Sequence, residues 1–335
     1  MSHIDPTLVG KVSSILTGRI PQAPPQEARA VVAGIRAMAR RAPDIVAAVS
    51  KMDAAQLSAT VPVYVLDREQ WAAGTASSLG AVLGDELLSA HVGESQGGRL
   101  KALTAPSSAL VSVEVGAGLA LMAKSVLGQY DPLAPNADGA QVPGRLVLVA
   151  PNILEFQRAF DLDQRDLALW VCVHELTHAA QFAQAPWLRD YIISRARAMV
   201  KDATGSDASL ALDSGPGGDI SAIMSVLEGH AEFVMNAVPI GQLPSKRRLK
   251  TAMRTRRDNS SPWKKWLQRL TGMDMKMGQY AAGETFVSEV VKAVGVEGLN
   301  QLWDDPLNAP SIEEIASPLT WVHRVIGTDY LGRDS

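Results

Sequence analysis

The sequence predicts a mainly helical α+β fold that contains a small β-sheet. Apolar side chains recur at helical spacing along most of the 335 residues, whereas two short runs, 62–66 and 145–150, have the β-branched composition of strands. The sequence shows no internal repeat at a solenoid or propeller period. With 47% hydrophobic residues, the chain has enough apolar side chains to build a sizeable core.

The first half of the chain is predicted to be helical around one strand. A long helix follows a Pro-rich link and carries Ala, Val, Ile and Met at helical spacing, although Pro43 is expected to interrupt it. Residues 107–127 are apolar, and their length favours a helix. The predicted elements are helices over 26–52, 69–88 and 107–127, a strand over 62–66 and a turn over 128–132.

The second half opens with the clearest strand of the sequence, which Pro151 ends. Asp163 is a suitable N-cap for the next helix, with Asp166 in the capping-box position, and Pro186 follows the end of that helix. The predicted elements are a strand over 145–150, helices over 163–183, 188–201, 220–237, 283–294 and 296–303, and a Gly/Ser/Asp-rich loop over 203–218.

Charge and cysteine content narrow the class of protein. A net charge of −3 gives the chain no global positive field, so we expect no nucleic-acid partner for the chain as a whole. Cys172 is the single cysteine, which excludes an internal disulfide and is typical of a reducing compartment. The first residues lack the pattern of a secretory signal, and no window approaches the roughly 20 apolar residues of a transmembrane segment. These features predict a cytoplasmic protein.

The segment His174-Glu-Leu-Thr-His178 is a candidate metal site. Residues four apart on a helix lie on one face, about 6 Å apart along the axis, so both imidazoles can bind one ion. Zinc at a catalytic site takes three protein ligands and a water molecule, whose proton Glu175 could accept as general base. The alternative is that the two histidines occupy a helix face without binding metal. Cys172 is expected to be a core residue.

The third zinc ligand must come from elsewhere in the chain. The longer pattern His-x-x-Gly-x-x-His is excluded because Gln181 and Gln184 stand at its Gly and His positions. Glu228 is the preferred candidate because it lies in the apolar run 223–235, where a buried carboxylate needs a positive partner. Glu232, four residues later on the same helix face, could accept a hydrogen bond from a ligand imidazole.

Three alternatives remain open for the third ligand. Glu228 and Glu232 could be half-exposed charges of a helix, His230 could itself be the ligand, or Asp329 could take that place, although its spacing and its position near the C-terminus differ from those of known aspartate ligands.

These residues resemble the gluzincin type of zinc peptidase, in which two histidines of one helix and a glutamate of a later helix bind zinc. The segment 227–233 also resembles the Asn-Glu-Gly-Phe-Ala segment of the aminopeptidase branch. More closely, the chain resembles an actinobacterial family of zincin-like metallopeptidases that is sometimes described as associated with biosynthesis of the deazaflavin coenzyme. The matching segments are 65–68, 126–131, 149–153, 170–182, 186–189 and 228–235, together with Trp71, Gln279, Tyr280, Gly283 and Phe286.

The resemblance implies a zincin-like catalytic core with a small β-sheet and an active-site helix. It implies a catalytic portion over 131–335 that follows a mainly helical portion over 1–130, within one compact unit. Zn2+ is the implied cofactor. The resemblance does not supply the substrate, which we expect to be a peptide or protein. Tyr280 follows Glu228 at a spacing similar to that of the aminopeptidase branch, so its hydroxyl is expected to stabilise the oxyanion, with His230 and His323 as alternatives. A core tyrosine whose hydroxyl has a hydrogen-bond partner is the other interpretation of Tyr280.

We therefore predict a zinc-dependent metallohydrolase of the peptidase type, in which the strand 145–150 aligns a peptide by edge pairing. The alternative is a catalytically silent zincin-like regulatory or binding protein. It would contact nucleic acid or an anionic surface through the basic segment 246–269, which contains ten Lys or Arg residues and one acidic residue, Asp258. A solvated segment that balances the acidic remainder of the chain is the favoured interpretation of these charges.

Overall fold

The computed structural model describes residues 4–18, 22–53, 57, 60–94, 108–134, 144–203, 215–259 and 278–327. The helices are α1 (Pro6–Thr17), α2 (Pro25–Ser50), α3 (Arg68–Glu94), α4 (Ser108–Ala123), α5 (Ala150–Phe160), α6 (Gln164–Gln184), α7 (Leu188–Ala203), α8 (Gly215–Ala237), α9 (Lys246–Asn259), α10 (Gly278–Asn300), α11 (Ile312–Ala316) and α12 (Pro318–Val325). The strands are β1 (Val63–Leu66), β2 (Gly128–Asp131) and β3 (Arg145–Val149). These elements confirm the predicted mainly helical α+β fold.

The three strands form one sheet in the order β1-β3-β2. β1 runs parallel to β3, with Val63 opposite Leu146, and β2 runs antiparallel to β3, with Gly128 opposite Leu148. β3 is hydrogen-bonded to a strand on each side, so its main-chain groups are not available to a peptide. The prediction that β3 aligns a peptide by edge pairing is therefore wrong. Within the described residues, β1 and β2 are the edge strands. The predicted turn over 128–132 is also wrong, because most of it is strand β2.

Side chains from α3 and β3 hold β2 in place. Trp71 Nε1 donates a hydrogen bond to Gln129 Oε1 over 2.7 Å. The buried carboxylate of Asp131 accepts hydrogen bonds from Ser78 Oγ at 2.6 Å and from Arg145 Nη2 at 2.9 Å. These bonds come from distant parts of the chain, so a segment with poor intrinsic strand propensity becomes a strand through tertiary contacts.

Helix α6 runs through the main hydrophobic core, where α2 packs along it and α8 crosses it. The Asp163 carboxylate accepts a hydrogen bond from Asp166 N at 2.8 Å, which confirms the predicted N-cap. The Asp166 carboxylate instead accepts two bonds of 2.7 Å from Ser245, so only half of the capping box is formed. α2 lies before residue 130 and α6 lies after it. The predicted division of the chain into the portions 1–130 and 131–335 stays a prediction.

Helices α8 and α10 are in direct backbone contact. A Cβ atom added to Gly229 would lie 2.3 Å from the carbonyl carbon of Gly283, and one added to Gly283 would lie 1.9 Å from Ser225 O. Since real Cβ atoms do not approach other atoms this closely, both positions require glycine for the helices to cross at this distance. The crossing lies one residue after Glu228.

Three further elements differ from the sequence predictions or refine them. α2 continues through Pro43, because the face that contains Ile35 and Val46 is buried in the main core and holds the helix together. α5 was not predicted and begins directly after β3. The two predicted C-terminal helices are separated at Gly295 within α10, where a φ of 76° interrupts the helical backbone, as predicted. No helix in the described parts of the chain is long and apolar enough to cross a membrane.

Candidate metal centre

Three side chains from two helices place possible metal-ligand atoms close together. His174 and His178 lie one turn apart on α6, with ring centroids 4.9 Å apart. The carboxylate of Glu228 on α8 faces both rings, with Oε2 3.7 Å from His174 Nε2 and Oε1 3.7 Å from His178 Nε2. One ligand atom of each residue lies within 4.8 Å of the others, and the searched, described residues contain no second such group of His, Cys, Asp or Glu.

This set of ligand atoms fits zinc. Imidazole nitrogens and one carboxylate form a usual three-residue ligand set at catalytic zinc sites, and they leave a coordination position open for water. Ligand atoms about 2.0–2.2 Å from a tetrahedral ion lie about 3.3–3.6 Å from one another. The two 3.7 Å distances between Glu228 and the histidines are close to that spacing. All three side chains are partly exposed, so the site has access to solvent.

Gln181 contacts the ring of His178 on the side away from Glu228. His178 Nδ1 lies 2.9 Å from Gln181 Oε1, and Gln181 Nε2 donates to Leu227 O over 2.9 Å. The amide of Gln181 is buried and links α6 to α8 beside the candidate metal site. The sequence indicates this contact only through a polar residue three positions after His178 on the same helix face.

His230 is a buried neighbour of Gln181 rather than a member of the three-residue group. Its Nδ1 lies 3.0 Å from Gln181 Nε2, and its ring packs against Trp303 with centroids 5.5 Å apart. Burial, with a smaller contribution from His178, lowers the pKa of His230 to about 3. The ring is therefore neutral at neutral pH. Complete burial against Trp303 does not favour either alternative role, as third ligand or as oxyanion stabiliser.

The carboxylate of Glu175 is hydrogen-bonded to the backbone of the edge strand β2. Its Oε2 accepts a hydrogen bond from Tyr130 N at 2.8 Å, so one carboxylate oxygen has a fixed position. The side chain reaches Tyr130 by passing close to Gly128, where an added Cβ atom would lie 2.9 Å from Glu175 Cγ and 2.7 Å from Val171 Cγ1. The absence of a side chain at position 128 thus lets α6 lie against β2.

We expect Gly128→Ala to lower the free energy of unfolding by about 1–3 kcal/mol, because the new methyl group overlaps α6. Equilibrium denaturation in urea measures this change. Gly241→Ala is the matched control, since a Cβ atom at Gly241 meets nothing within 4 Å, and it should change stability by less than about 1 kcal/mol. Equal stability of the two variants would contradict the close contact between α6 and β2.

The other predicted residues are placed as follows. Glu232 lies one helical turn after Glu228 on α8 and is partly buried, and its role as a partner of a ligand imidazole stays a prediction. Tyr280 belongs to the first turn of α10, but its side chain lies outside the described residues, as does Asp329. Cys172 is entirely buried, which confirms it as a core residue; burial and, to a lesser extent, Glu175 raise the pKa of its thiol.

Several basic side chains of α9 are used inside the protein. Lys246 Nζ donates to the carbonyl oxygens of Asn236 and Val238, at 2.8 and 2.5 Å, and thereby satisfies the C-terminal end of α8. The further contacts are Lys250 with Asn236 Oδ1, Arg248 with Asp161, and Arg256 over the ring of Phe156. These contacts give four of the basic residues a structural role, and binding of nucleic acid or an anionic surface by the segment stays a prediction. The remainder of the basic segment, 260–269, lies outside the described residues.

Comparisons with known proteins show the family of the chain. The model of the family described as Zincin-like metallopeptidase matches residues 8–214 and 217–322. A crystal structure from Chloroflexus aurantiacus, described as that of a "putative hydrolase with a novel fold", is 27% identical in sequence and has a TM-score of 0.69. The similarity covers 99% of this chain and 100% of the other. No curated protein matches the chain. Since the family match covers most of the chain, the chain belongs to the zincin-like metallopeptidase family.

Proposed function

We propose that the protein is a zinc-dependent peptidase with a gluzincin-type ligand set. His174, His178 and Glu228 would hold the zinc ion, and Glu175 would act as general base. The observation that carries this proposal is the convergence of one ligand atom from each of the three residues within 4.8 Å, on two helices that separate regions of the sequence supply. Family membership and the hydrolase description of the related structure support the same class of reaction.

The position of Glu175 supports its role in proton transfer. When bound at this site, zinc would polarise the scissile carbonyl group and acidify a water molecule. Glu175 Oε2 is held by the amide of Tyr130, which leaves Oε1 to take the proton of the attacking water. The same carboxyl group would then return the proton to the leaving amine. This sequence of steps needs only small movements of the Glu175 side chain, because the backbone of β2 fixes its direction.

We infer that a substrate peptide lies along β2. This strand is at the edge of the sheet within the described residues, and its Tyr130 amide points to Glu175 rather than to β3. Extended peptides bind such edges through main-chain hydrogen bonds. A peptide paired with β2 would therefore pass beside the general base. The expected oxyanion stabiliser remains Tyr280, and the expected partner of a ligand imidazole remains Glu232.

Removal and return of the metal test this proposal. We expect the purified protein to contain about one zinc ion per chain and to cleave members of a mixed peptide library. A chelator should abolish cleavage, and added Zn2+ should restore it, whereas Mg2+ should not, because Mg2+ prefers oxygen ligands in octahedral geometry. Mass spectrometry of the library identifies the cleaved bonds. Cleavage that persists in protein shown to be free of metal would refute the proposal.

A further inference from the structure

We propose that Gln181 is a positioning residue that keeps the hydrogen of the neutral His178 ring on Nδ1 and thereby presents the lone pair of Nε2 to the metal. Neutral imidazole carries its hydrogen on one nitrogen only, and a metal binds the other. Either tautomer is open to a free histidine, so a site that fixes one of them begins with the correct nitrogen available. The inference rests on the proposed function for the identity of the metal.

The orientation of the Gln181 amide is fixed by a backbone acceptor. Leu227 O can only accept a hydrogen bond, and it lies 2.9 Å from Gln181 Nε2. Rotation of the amide by 180° would place Oε1 against Leu227 O, so that two acceptors would face each other in the protein interior. Both Gln181 and its neighbour His230 are fully buried, where water cannot satisfy a polar group that is left unpaired. The NH2 group therefore faces α8.

The fixed amide determines the tautomers of two histidines. Gln181 Oε1 is an acceptor 2.9 Å from His178 Nδ1, so this nitrogen must carry a hydrogen. Gln181 Nε2 is a donor 3.0 Å from His230 Nδ1, so the hydrogen of that ring lies on Nε2, a buried atom for which the described residues offer no hydrogen-bond partner. His178 Nε2 is left as the unprotonated nitrogen, and this is the atom 3.7 Å from the Glu228 carboxylate. One backbone carbonyl thus sets the hydrogen positions of a ligand and of a buried neighbour.

Gln181 and its hydrogen-bond partners are held in place by the helices that carry them. His178 and Gln181 are three residues apart on α6, so the helix itself holds them on one face. His230 and Leu227 have the same spacing on α8, and the close approach of α8 to α10 at Gly229 keeps this part of α8 fixed. Partners of this kind usually affect zinc affinity by about 10- to 100-fold, although they do not touch the metal.

Long-range 1H–15N NMR spectra of the histidine rings test the inference directly in the metal-free protein. The spectra should be recorded under mildly alkaline conditions, where free imidazole is neutral. Single substitutions of His178 and His230 by Gln assign the signals. We expect a Nδ1–H form for His178 and a Nε2–H form for His230. A Nε2–H form for His178 in the wild-type protein would overturn the inference, whether or not zinc is later found to bind.

Two variants separate the acceptor function of Gln181 from its volume. Gln181→Met keeps the size but removes both the acceptor and the donor, so His178 should lose its preference for the Nδ1–H form. Gln181→Glu keeps an acceptor for His178, so that ring should remain in the Nδ1–H form even though the second carboxylate oxygen then faces Leu227 O. Because the Glu carboxylate cannot donate to His230, we expect the hydrogen of His230 to move to Nδ1, where it can bond to the carboxylate.

Zinc affinity, measured by competition with a chelating dye, completes the test. We expect Gln181→Met to bind zinc about 10- to 100-fold more weakly than the wild-type protein, and Gln181→Glu to retain most of the affinity. Wild-type affinity in Gln181→Met, or equal losses in both variants, would overturn the inference. If the wild-type protein itself does not bind zinc, the proposed function fails, while the NMR spectra of the metal-free protein still decide the tautomer of His178.

Discussion

Replacement of Glu175 by Gln is expected to abolish peptide hydrolysis while zinc remains bound. The Gln side chain has the same size and can still accept the hydrogen bond from Tyr130 N, but it cannot take a proton from water. Loss of a general base lowers the rate by about 10²- to 10⁴-fold. The comparison requires kcat/KM on a peptide that the wild-type protein cleaves, together with the zinc content of both proteins.

Glu289→Gln is a suitable control for this experiment. Glu289 is an exposed carboxylate on α10 and does not belong to the candidate metal site, so its replacement makes the same chemical change outside the proposed catalytic group. Its kcat/KM and zinc content should equal those of the wild-type protein. Undiminished turnover in Glu175→Gln would exclude Glu175 as the general base, and loss of zinc from that variant would mean that the carboxylate helps to hold the metal.

Glu228→Ala is expected to remove most of the bound zinc. The substitution leaves His174 and His178 as the two remaining ligands, whereas catalytic zinc sites use three protein groups. After gel filtration, the metal content should fall from about one zinc ion per chain to a small fraction of that value. Hydrolysis should fall in parallel. Atomic absorption spectroscopy of the purified proteins measures the metal content.

The neighbouring carboxylate on the same helix provides the comparison. Glu232→Ala removes the group expected to orient a ligand imidazole, so zinc should still bind, with an affinity about 10- to 100-fold lower. The predicted order of zinc affinity is therefore wild type, then Glu232→Ala, then Glu228→Ala. Full zinc content in Glu228→Ala would refute its assignment as third ligand, and a larger effect of Glu232→Ala would exchange the two roles.

The parts of the fold that depend on local sequence were predictable. The N-cap at Asp163 and the helical spacing of apolar residues locate α6 to within a residue of its observed ends. Glu228 was identified as a candidate because a carboxylate in an apolar helix conflicts with burial, and the structure places it beside His174 and His178. Both inferences use residues that are close together in the sequence.

The parts that depend on distant partners were not predictable. β2 was predicted as a turn, because its Gly and Asp residues suit a turn, whereas Trp71 and the side chains that bind Asp131 hold it in the sheet. The support of Glu175 by Tyr130 joins residues 45 positions apart, and the contact of Gln181 with His230 joins residues 49 positions apart. A single sequence does not show which of its distant residues form such pairs.

The backbone contact between Gly229 and Gly283 has a consequence for metal selectivity. Because α8 and α10 touch without intervening side chains, α8 cannot shift toward α10, and this limits how far the backbone at Glu228 can move away from the two histidines. A preorganised site of this kind favours ions whose preferred coordination geometry matches the existing spacing and disfavours larger, more flexibly coordinated ions such as Ca²⁺. If the site binds zinc as proposed, two residues without side chains would thereby contribute to the choice of ion.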